Sequence, residues 1–495
     1  MSTSASALSA RILFATSEIA PWVKTGGLGD IASALPTALH AAGLDMRVLV
    51  PAYPALRAAL AQVSLVAELP SPGAWLPASR LLQATSAEGV CLWLIDCPAL
   101  YERDGGPYHA PDGQDWSDNH LRFGLLSRLA AWLATEHSPL AWRPDLLHCN
   151  DWQTGLAPAY QHYLHGGARP SVMTIHNLAF QGLFAPQRLA QFGLPAHAFT
   201  PDGVEFYGHL SFLKAGLQFA RQITTVSPTY ATEIQQQALG FGLDGLLRWR
   251  SQDLTGILNG VDAAWNPALD PYLAQPYDVK HLANKRLNRT ALRAELGLED
   301  DASVPLLAIV SRLTHQKGMD LVLAIAAEFL HGGAAARAQL VVLGHGEASF
   351  ETGFRELAKN NPGQVAALID FSEAMAHRIE AAADIFLMPS RFEPCGLNQL
   401  YSLRYGTPPV VHATGGLADT VVDCRPETLG TGSANGFSFA NADATSFGAA
   451  LQRAIALWQD NKTWRRLQRA GMTADHSWAK AAARYIAVYR RALGH

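Results

Sequence analysis

The sequence predicts an α/β protein of two doubly wound halves in tandem, each a parallel sheet covered by helices on both faces. Three observations carry that reading. Short apolar runs alternate with helical patterns from one end of the chain to the other, the mark of successive strand–helix–strand units. The alternation breaks down around residues 253–304 and then restarts, so there are two series rather than one. A length of 495 residues suits two or three domains at ~100–200 residues each.

In the first half, Arg11–Thr16 reads as a buried strand, followed by a Gly-rich loop and an Ala/Leu helix from about Asp30 to Ala42. Arg47–Val50, Val90–Ile95, Leu146–Cys149, Val172–Ile175 and Ile223–Val226 continue the strands. The break holds the Pro-, Asp- and Ala-rich segment Asp262–Tyr277 and a polar helix, Asn284–Leu296. In the second half Pro305–Val310 is a strand and a helix begins at Met319. Leu340–Leu343, Ile385–Met388 and Pro409–His412 are later strands. A final amphipathic helix, Trp478–Leu493, carries Trp478, Tyr485 and Tyr489. The expected division is residues 1–255, residues 256–477 and a C-terminal helix within 478–495. Ligands of open α/β sheets bind beyond the carboxyl ends of the strands, so the chemistry is expected in strand-end loops of both halves.

Composition narrows the class. Lys+Arg total 38 and Asp+Glu 42, a net charge of −4, and charged residues make up only 16% of the chain. The missing basic excess argues against a nucleic-acid binder and against a polybasic membrane anchor. No apolar run approaches the ~18–20 residues that span a bilayer. Met1–Ala10 lacks the charged start of a secretory signal. The five cysteines, at 91, 97, 149, 395 and 424, are scattered and form no C-x-x-C. That disfavours a disulfide framework or zinc ribbon and suits a reducing compartment. The expectation is a soluble cytoplasmic enzyme without nucleic-acid or membrane partners; whether it forms a homo-oligomer is left open.

The loop after the first strand, Lys24–Asp30, reads K-T-G-G-L-G-D. Gly27, Gly29 and Ala32 satisfy the loose G-x-G-x-x-A dinucleotide pattern. That reading requires an acidic residue at the end of the second strand to hold a ribose, and the strand ends instead in Pro51. No G-x-x-x-x-G-K-[ST] loop occurs either. What remains is a glycine run whose amides can approach an anion at a helix N-terminus, with Lys24 beside it.

Three strand-end loops of the second half carry charge or glycine where a ligand would sit. Arg312 and Lys317 follow strand Pro305–Val310; a planar fork and a point charge together suit a diphosphate. Glu393 follows strand Ile385–Met388 in P-S-R-F-E-P-C-G-L, before a helix expected near Leu397. A carboxylate there can hold sugar hydroxyls or stabilise a developing cation. Thr414-Gly415-Gly416-Leu417 opens a helix after strand Pro409–His412, again offering backbone amides to phosphate.

These motifs carry a resemblance. K-T-G-G-L-G-D (24–30), H-N-L-A-F-Q-G (176–182), L-K-A-G (213–216), T-V-S-P-T-Y (225–230), L-N-G-V-D (258–262), S-R-L-T-x-Q-K-G (311–318), P-S-R-F-E-P-C-G-L-x-Q-L (389–400), Y-G-T (405–407) and T-G-G-L-A-D-T-V (414–421) stand in order over nearly the whole chain. The chain resembles the glycogen and starch synthases of bacteria and plants. The resemblance implies the GT-B fold, two Rossmann-like domains facing a deep interdomain cleft, with the last helix returning to the first domain. It implies transfer of glucose from ADP-glucose to the non-reducing end of an α-1,4-glucan, with retention of configuration and release of ADP.

The resemblance also assigns residues. Lys24, Gly26 and Gly27 belong to the N-terminal loop at the donor. Arg312 and Lys317 match the pair that holds the diphosphate, and Glu393 the carboxylate near the transferred glucose. Gly396 and Leu397 open a helix whose amides face the sugar. Thr414, Gly415, Gly416 and Leu417 match the phosphate-side loop, with Thr420 close behind. His176 matches a histidine facing the glucosyl unit, with Asn177 next to it. Asp151 and Tyr101 sit at positions used near donor or acceptor. Phe371 stands where relatives often have a tyrosine stacking on adenine. Asn150 departs from the pattern too, since many relatives read H-x-H-D-W where this chain has H-C-N-D-W.

Breaking a nucleotide–sugar bond puts negative charge on the diphosphate and positive charge on the anomeric carbon. Arg312, Lys317 and helix amides answer the first charge; Glu393 and the His176 region answer the second. No D-x-D occurs, which removes the usual carboxylate pair for a divalent cation, so no metal and no cofactor are expected. Glu393 has no evident nucleophilic partner, so the expected course is front-face transfer rather than the double displacement of retaining hydrolases. The competing readings are a UDP-glucose-using or other GT-B transferase, a phosphorylase, a non-catalytic glucan-binding homologue and a dehydrogenase.

Overall fold

The computed structural model describes residues 8–60, 62–73, 75–167, 169–333 and 337–495. Of the N-terminal segment read above for a signal, residues 1–7 lie outside the described residues. The chain divides into two compact units. The first runs to Gly260 and includes Trp478–His495; the second is Val261–Ser477.

The first unit contains β1 (Arg11–Ala15), β2 (Asp45–Pro51), β3 (Ser64–Leu69), β4 (Ser79–Thr85), β5 (Cys91–Asp96), β6 (Leu146–Asn150) and β7 (Ser171–Ile175). It continues with β8 (Leu183–Phe184), β9 (Glu205–Phe206), β10 (His209–Ser211), β11 (Gln222–Thr225) and β12 (Leu254–Gly256). Its main sheet has the order β12-β11-β7-β6-β1-β2-β5-β4-β3. Residues of β1, β6 and β7 are buried almost throughout, which is why they read as unbroken apolar runs. The order reverses between β1 and β6, so the loops that follow these two strands flank a topological switch point.

The sheet is mixed rather than parallel throughout. β4 pairs antiparallel with β5 and β3 antiparallel with β4. The connection between β4 and β5, residues 86–90, is too short for the helical crossover that a parallel pair needs. A second departure is the small antiparallel sheet β8-β10-β9. The helix expected from Asp30 starts three residues earlier and spans Gly27–Ala41, so the glycines of K-T-G-G-L-G-D form its first turn. The helix Trp478–Leu493 closes the unit, with Tyr485 and Tyr489 fully buried. The Tyr489 hydroxyl lies 2.7 Å from His148 Nδ1 on β6.

The second unit contains β13 (Leu306–Val310), β14 (Gln339–Leu343), β15 (Val365–Leu368), β16 (Ile385–Met388), β17 (Pro409–His412) and β18 (Phe437–Phe439). All pairings in this sheet are parallel. The order is β15-β14-β13-β16-β17-β18, which is the 3-2-1-4-5-6 arrangement of a doubly wound Rossmann-type sheet. Its switch point lies between β13 and β16. The loops after those strands are Ser311–Gly318 and Pro389–Leu397, the two segments richest in candidate residues.

Candidate active site

In the second unit the two switch-point loops are locked together. Gly318 has φ +72°, and a Cβ there would sit 2.1 Å from the Pro389 carbonyl oxygen, so only glycine lets the loops approach this closely. Arg391 N donates to Gln316 O at 2.8 Å and Gln316 Nε2 to Phe392 O at 3.3 Å. The Arg391 guanidinium grips Asp320 at 2.7–2.8 Å and the His315 carbonyl at 2.8 Å. This frame brings Lys317 Nζ onto Glu393 Oε2 as an ion pair, with side chains 16% and 8% exposed. Ser390 Oγ donates to the same carboxylate oxygen at 3.1 Å. Arg312, on the same loop as Lys317, is exposed, and no ion pair of its guanidinium is present among the described residues.

The third loop braces the turn that carries Glu393. Gly415 (φ +46°) would place a Cβ 1.9 Å from Glu393 O, and Gly416 one 2.0 Å from Cys395 O. Gly416 N donates to Glu393 O and Pro394 O, both at 3.2 Å. The Gly416 amide is thus spent on the turn that carries Glu393. Thr420 likewise gives its hydroxyl proton to Gly416 O at 2.6 Å, and Leu417 is fully buried. These residues shape the Glu393 turn, and Thr414 caps the short helix Gly415–Thr420. Gly396 (φ +70°) turns the chain into helix Asn398–Arg404, with Leu397 as its cap. Phe371 stands beyond the carboxyl end of β15 with its residue 69% exposed.

In the first unit the loop after β1 is organised by a residue the sequence reading passed over. Glu18 is 3% exposed. Its carboxylate accepts from Thr25 N at 2.8 Å, Thr25 Oγ1 at 2.7 Å and the Tyr108 hydroxyl. A charged residue three positions after a buried strand, in a chain this poor in charge, was the available signal. Lys24 pairs with Asp30 at 2.8 Å, across the first turn that Gly26 caps and Gly27 begins.

The neighbouring strand ends bring Asp151 and His176 together. The parallel register sets Asn150 of β6 beside Thr174 of β7, so the next residues of both strands emerge side by side. Asp151 Oδ1 accepts from His176 N at 2.8 Å and Asn177 N at 3.5 Å. Burial pushes the Asp151 carboxyl up to about 7, against the pull of these two amides. Asp151 also has φ +53° and ψ −176°, a region that costs a residue with a side chain about 1–3 kcal/mol and gathers at functional sites. Burial pushes His176 down to about 3, so its ring is neutral.

Tyr101 is the one candidate the structure withdraws. It is 1% exposed, its ring lies edge-on to Tyr53, and its hydroxyl donates to Arg122 O at 2.6 Å. It is a packing residue behind the site. The remaining candidates follow the switch-point strands β1, β6, β13 and β16 or their neighbours β7 and β17, save Phe371 at the end of β15.

Two Rossmann-type units in tandem, together with the matches that follow, place the chain among the GT-B glycosyltransferases. Residues 11–249 match the family described as starch synthase catalytic domain and residues 289–471 that of glycosyl transferases group 1. The chain is 58% identical over 483 residues to the glycogen synthase of Dechloromonas aromatica, covering 97% of this chain and 98% of that one. It is 52% identical over 482 residues to the glycogen synthase of Nitrosospira multiformis, covering 97% and 96%. The catalytic domain of starch synthase IV from Arabidopsis thaliana, solved bound to ADP and acarbose, matches with a TM-score of 0.88 at 30% identity, over 99% of this chain and 100% of that one. The chain belongs to the glycogen synthase family. No helix among the described residues is long and apolar enough to cross a membrane.

Proposed function

We propose that this enzyme transfers glucose from ADP-glucose to the non-reducing 4-hydroxyl of an α-1,4-glucan such as glycogen, with retention and without a metal. The observation that carries the reading is the Lys317–Glu393 pair at the switch point of the second unit, with the unpaired Arg312 beside it. Arg312 and Lys317 receive the diphosphate and stabilise the charge that builds on it as the glucosyl bond breaks. Glu393, held by Lys317 and Ser390, presents its carboxylate to the sugar as positive charge grows at the anomeric carbon. The acceptor oxygen attacks on the face that the diphosphate leaves. The C1–O bond to ADP breaks, a new C1–O bond forms, and the hydroxyl proton passes to the departing diphosphate oxygen. Phe371 offers an exposed ring on which adenine can stack. The starch synthase neighbour solved bound to ADP supports ADP-glucose as the donor.

A donor-competition assay tests the reading. Purified protein, glycogen and equal amounts of ADP-glucose and UDP-glucose, each with a different label, should give product labelled mainly from ADP-glucose. Preferred use of UDP-glucose would overturn the donor assignment. Incorporation from neither would overturn the reaction.

A further inference from the structure

His148 and His176 are buried histidines on neighbouring strand segments, and they differ in one respect. His148 has a partner on each nitrogen, the Tyr489 hydroxyl at 2.7 Å on Nδ1 and the Thr174 hydroxyl at 2.6 Å on Nε2. His176 has a partner on one only. Its Nε2 lies 3.0 Å from Asn150 Oδ1, while its Nδ1 is buried without a hydrogen-bond partner. The residue is 9% exposed. An unmade bond at a buried polar atom costs about 1–3 kcal/mol, and this one stands beside Asp151, beyond the end of β7.

The orientation of Asn150 settles which nitrogen of His176 carries the proton. Asn150 Nδ2 donates to the Ala15 carbonyl at 3.0 Å. Turning the amide over would set Oδ1 against that carbonyl, two acceptors face to face. The atom facing His176 is therefore the oxygen, which can only accept. Nε2 must donate to it, and because the buried ring is neutral, Nδ1 keeps its lone pair.

We propose that Asn150 is a positioning residue that holds His176 in its Nε2–H tautomer, so that Nδ1 accepts a hydrogen bond from one hydroxyl of the transferred sugar. The proposal rests on the reading that His176 faces the glucosyl unit. The opposite tautomer would present a donor at Nδ1, and the hydroxyl would have to turn its own proton away. Asn150 never touches the sugar; it acts by selecting what His176 shows to it. A glucosyl unit lacking that one hydroxyl should therefore lose an interaction that depends on Asn150.

The test is kcat/KM for transfer to glycogen from ADP-glucose and its 2-, 3-, 4- and 6-deoxy analogues, in the wild type and in Asn150→Ala. Discrimination against one analogue should fall about five- to tenfold in the variant, the worth of one uncharged hydrogen bond, while the other three ratios stay as they are. Four unchanged ratios would overturn the proposal. The ring-nitrogen NMR spectrum of ¹⁵N-histidine-labelled wild type, with His176 identified by its loss in His176→Gln, decides independently of how the Asn150 variant folds. An Nε2–H pattern at neutral pH is expected; an Nδ1–H or doubly protonated pattern would overturn the proposal. A wild type that transfers from neither ADP-glucose nor UDP-glucose defeats the functional reading instead, and the spectrum then still decides the tautomer of His176.

Discussion

At the switch point of the second unit, a lysine and a glutamate pair beside an unpaired arginine. At that of the first, a buried aspartate takes backbone amides instead of a cation, and a buried histidine is neutral. The topology is similar and the electrostatics are not. In the proposed reaction the second unit is the side that meets charge: a diphosphate on one side and an electron-poor anomeric carbon on the other. In the same proposal the first unit meets hydroxyls, offering the neutral His176 ring and backbone dipoles. One cationic loop does sit in the first unit, but Lys24 already has Asp30 as its partner. The lesson is that a strand-end loop declares its ligand through how its charged groups are buried and partnered, as well as through which residues it contains.

Breaking the charged side should have the larger effect. Lys317→Ala removes the cation shared by Glu393 and the diphosphate. Initial rates with glycogen and ADP-glucose should fall by about 10²–10³-fold in kcat/KM, the usual loss for one preorganised electrostatic contact. The folded state should survive, because the loops remain tied by Arg391, Asp320 and Gln316. Wild-type kinetics would place Lys317 outside the site and erase the contrast between the two units.

The neutral side shows itself in stability. Asp151 titrates near 7 when folded, against 3.8 for a free carboxyl. The folded state therefore binds its proton more tightly than the unfolded one, and stability is lost as pH rises from about 4 to 7. Asp151→Asn copies the protonated carboxyl and should remove that loss. At pH 8 the variant should be more stable than wild type by up to about 4 kcal/mol, from the shift between 3.8 and about 7 at about 1.4 kcal/mol per pH unit, and near pH 4 the two should agree. His148 and His176 work in the opposite direction. Both are held near 3, against 6.5 when free, so they lose stability as pH falls below 6.5 in both proteins. Thermal midpoints of the pair from pH 4 to 8 check this. A difference independent of pH would mean that Asp151 is ionised throughout and that the first unit meets charge after all.

Much of this was legible in the sequence, for identifiable reasons. Strands buried on both faces, such as Leu306–Val310 and Ile385–Met388, read as continuous apolar runs, and the loops beyond them followed. Ser64–Leu69 and Ser79–Thr85 were not seen, because they pair antiparallel at the edge of the sheet without a crossover helix, and their apolar runs, Leu65–Ala67 and Leu81–Leu82, are too short to stand out. The Ala/Leu helix was placed three residues late, because glycines are poor helix formers and yet begin it at Gly27. At the site, charged residues at strand ends were readable, while backbone bookkeeping was not. Nothing in T-G-G-L says that Gly416 N is spent on Glu393 O and Pro394 O. Nor does Tyr101 reveal that its hydroxyl is committed to Arg122 O. Glu18 and the orientation of the Asn150 amide are of the same kind, set by partners far away in the chain.

The smallest predicted effect bears most directly on the central claim, that side chains of the second unit answer the diphosphate charge where many transferases use a divalent cation. Purified protein is freed of metal, mixed with labelled ADP-glucose and glycogen, and assayed with and without excess EDTA. The account predicts equal incorporation of glucose in both, and loss of that incorporation in Lys317→Ala. Incorporation abolished by EDTA and restored by added Mg²⁺ or Mn²⁺ would contradict it.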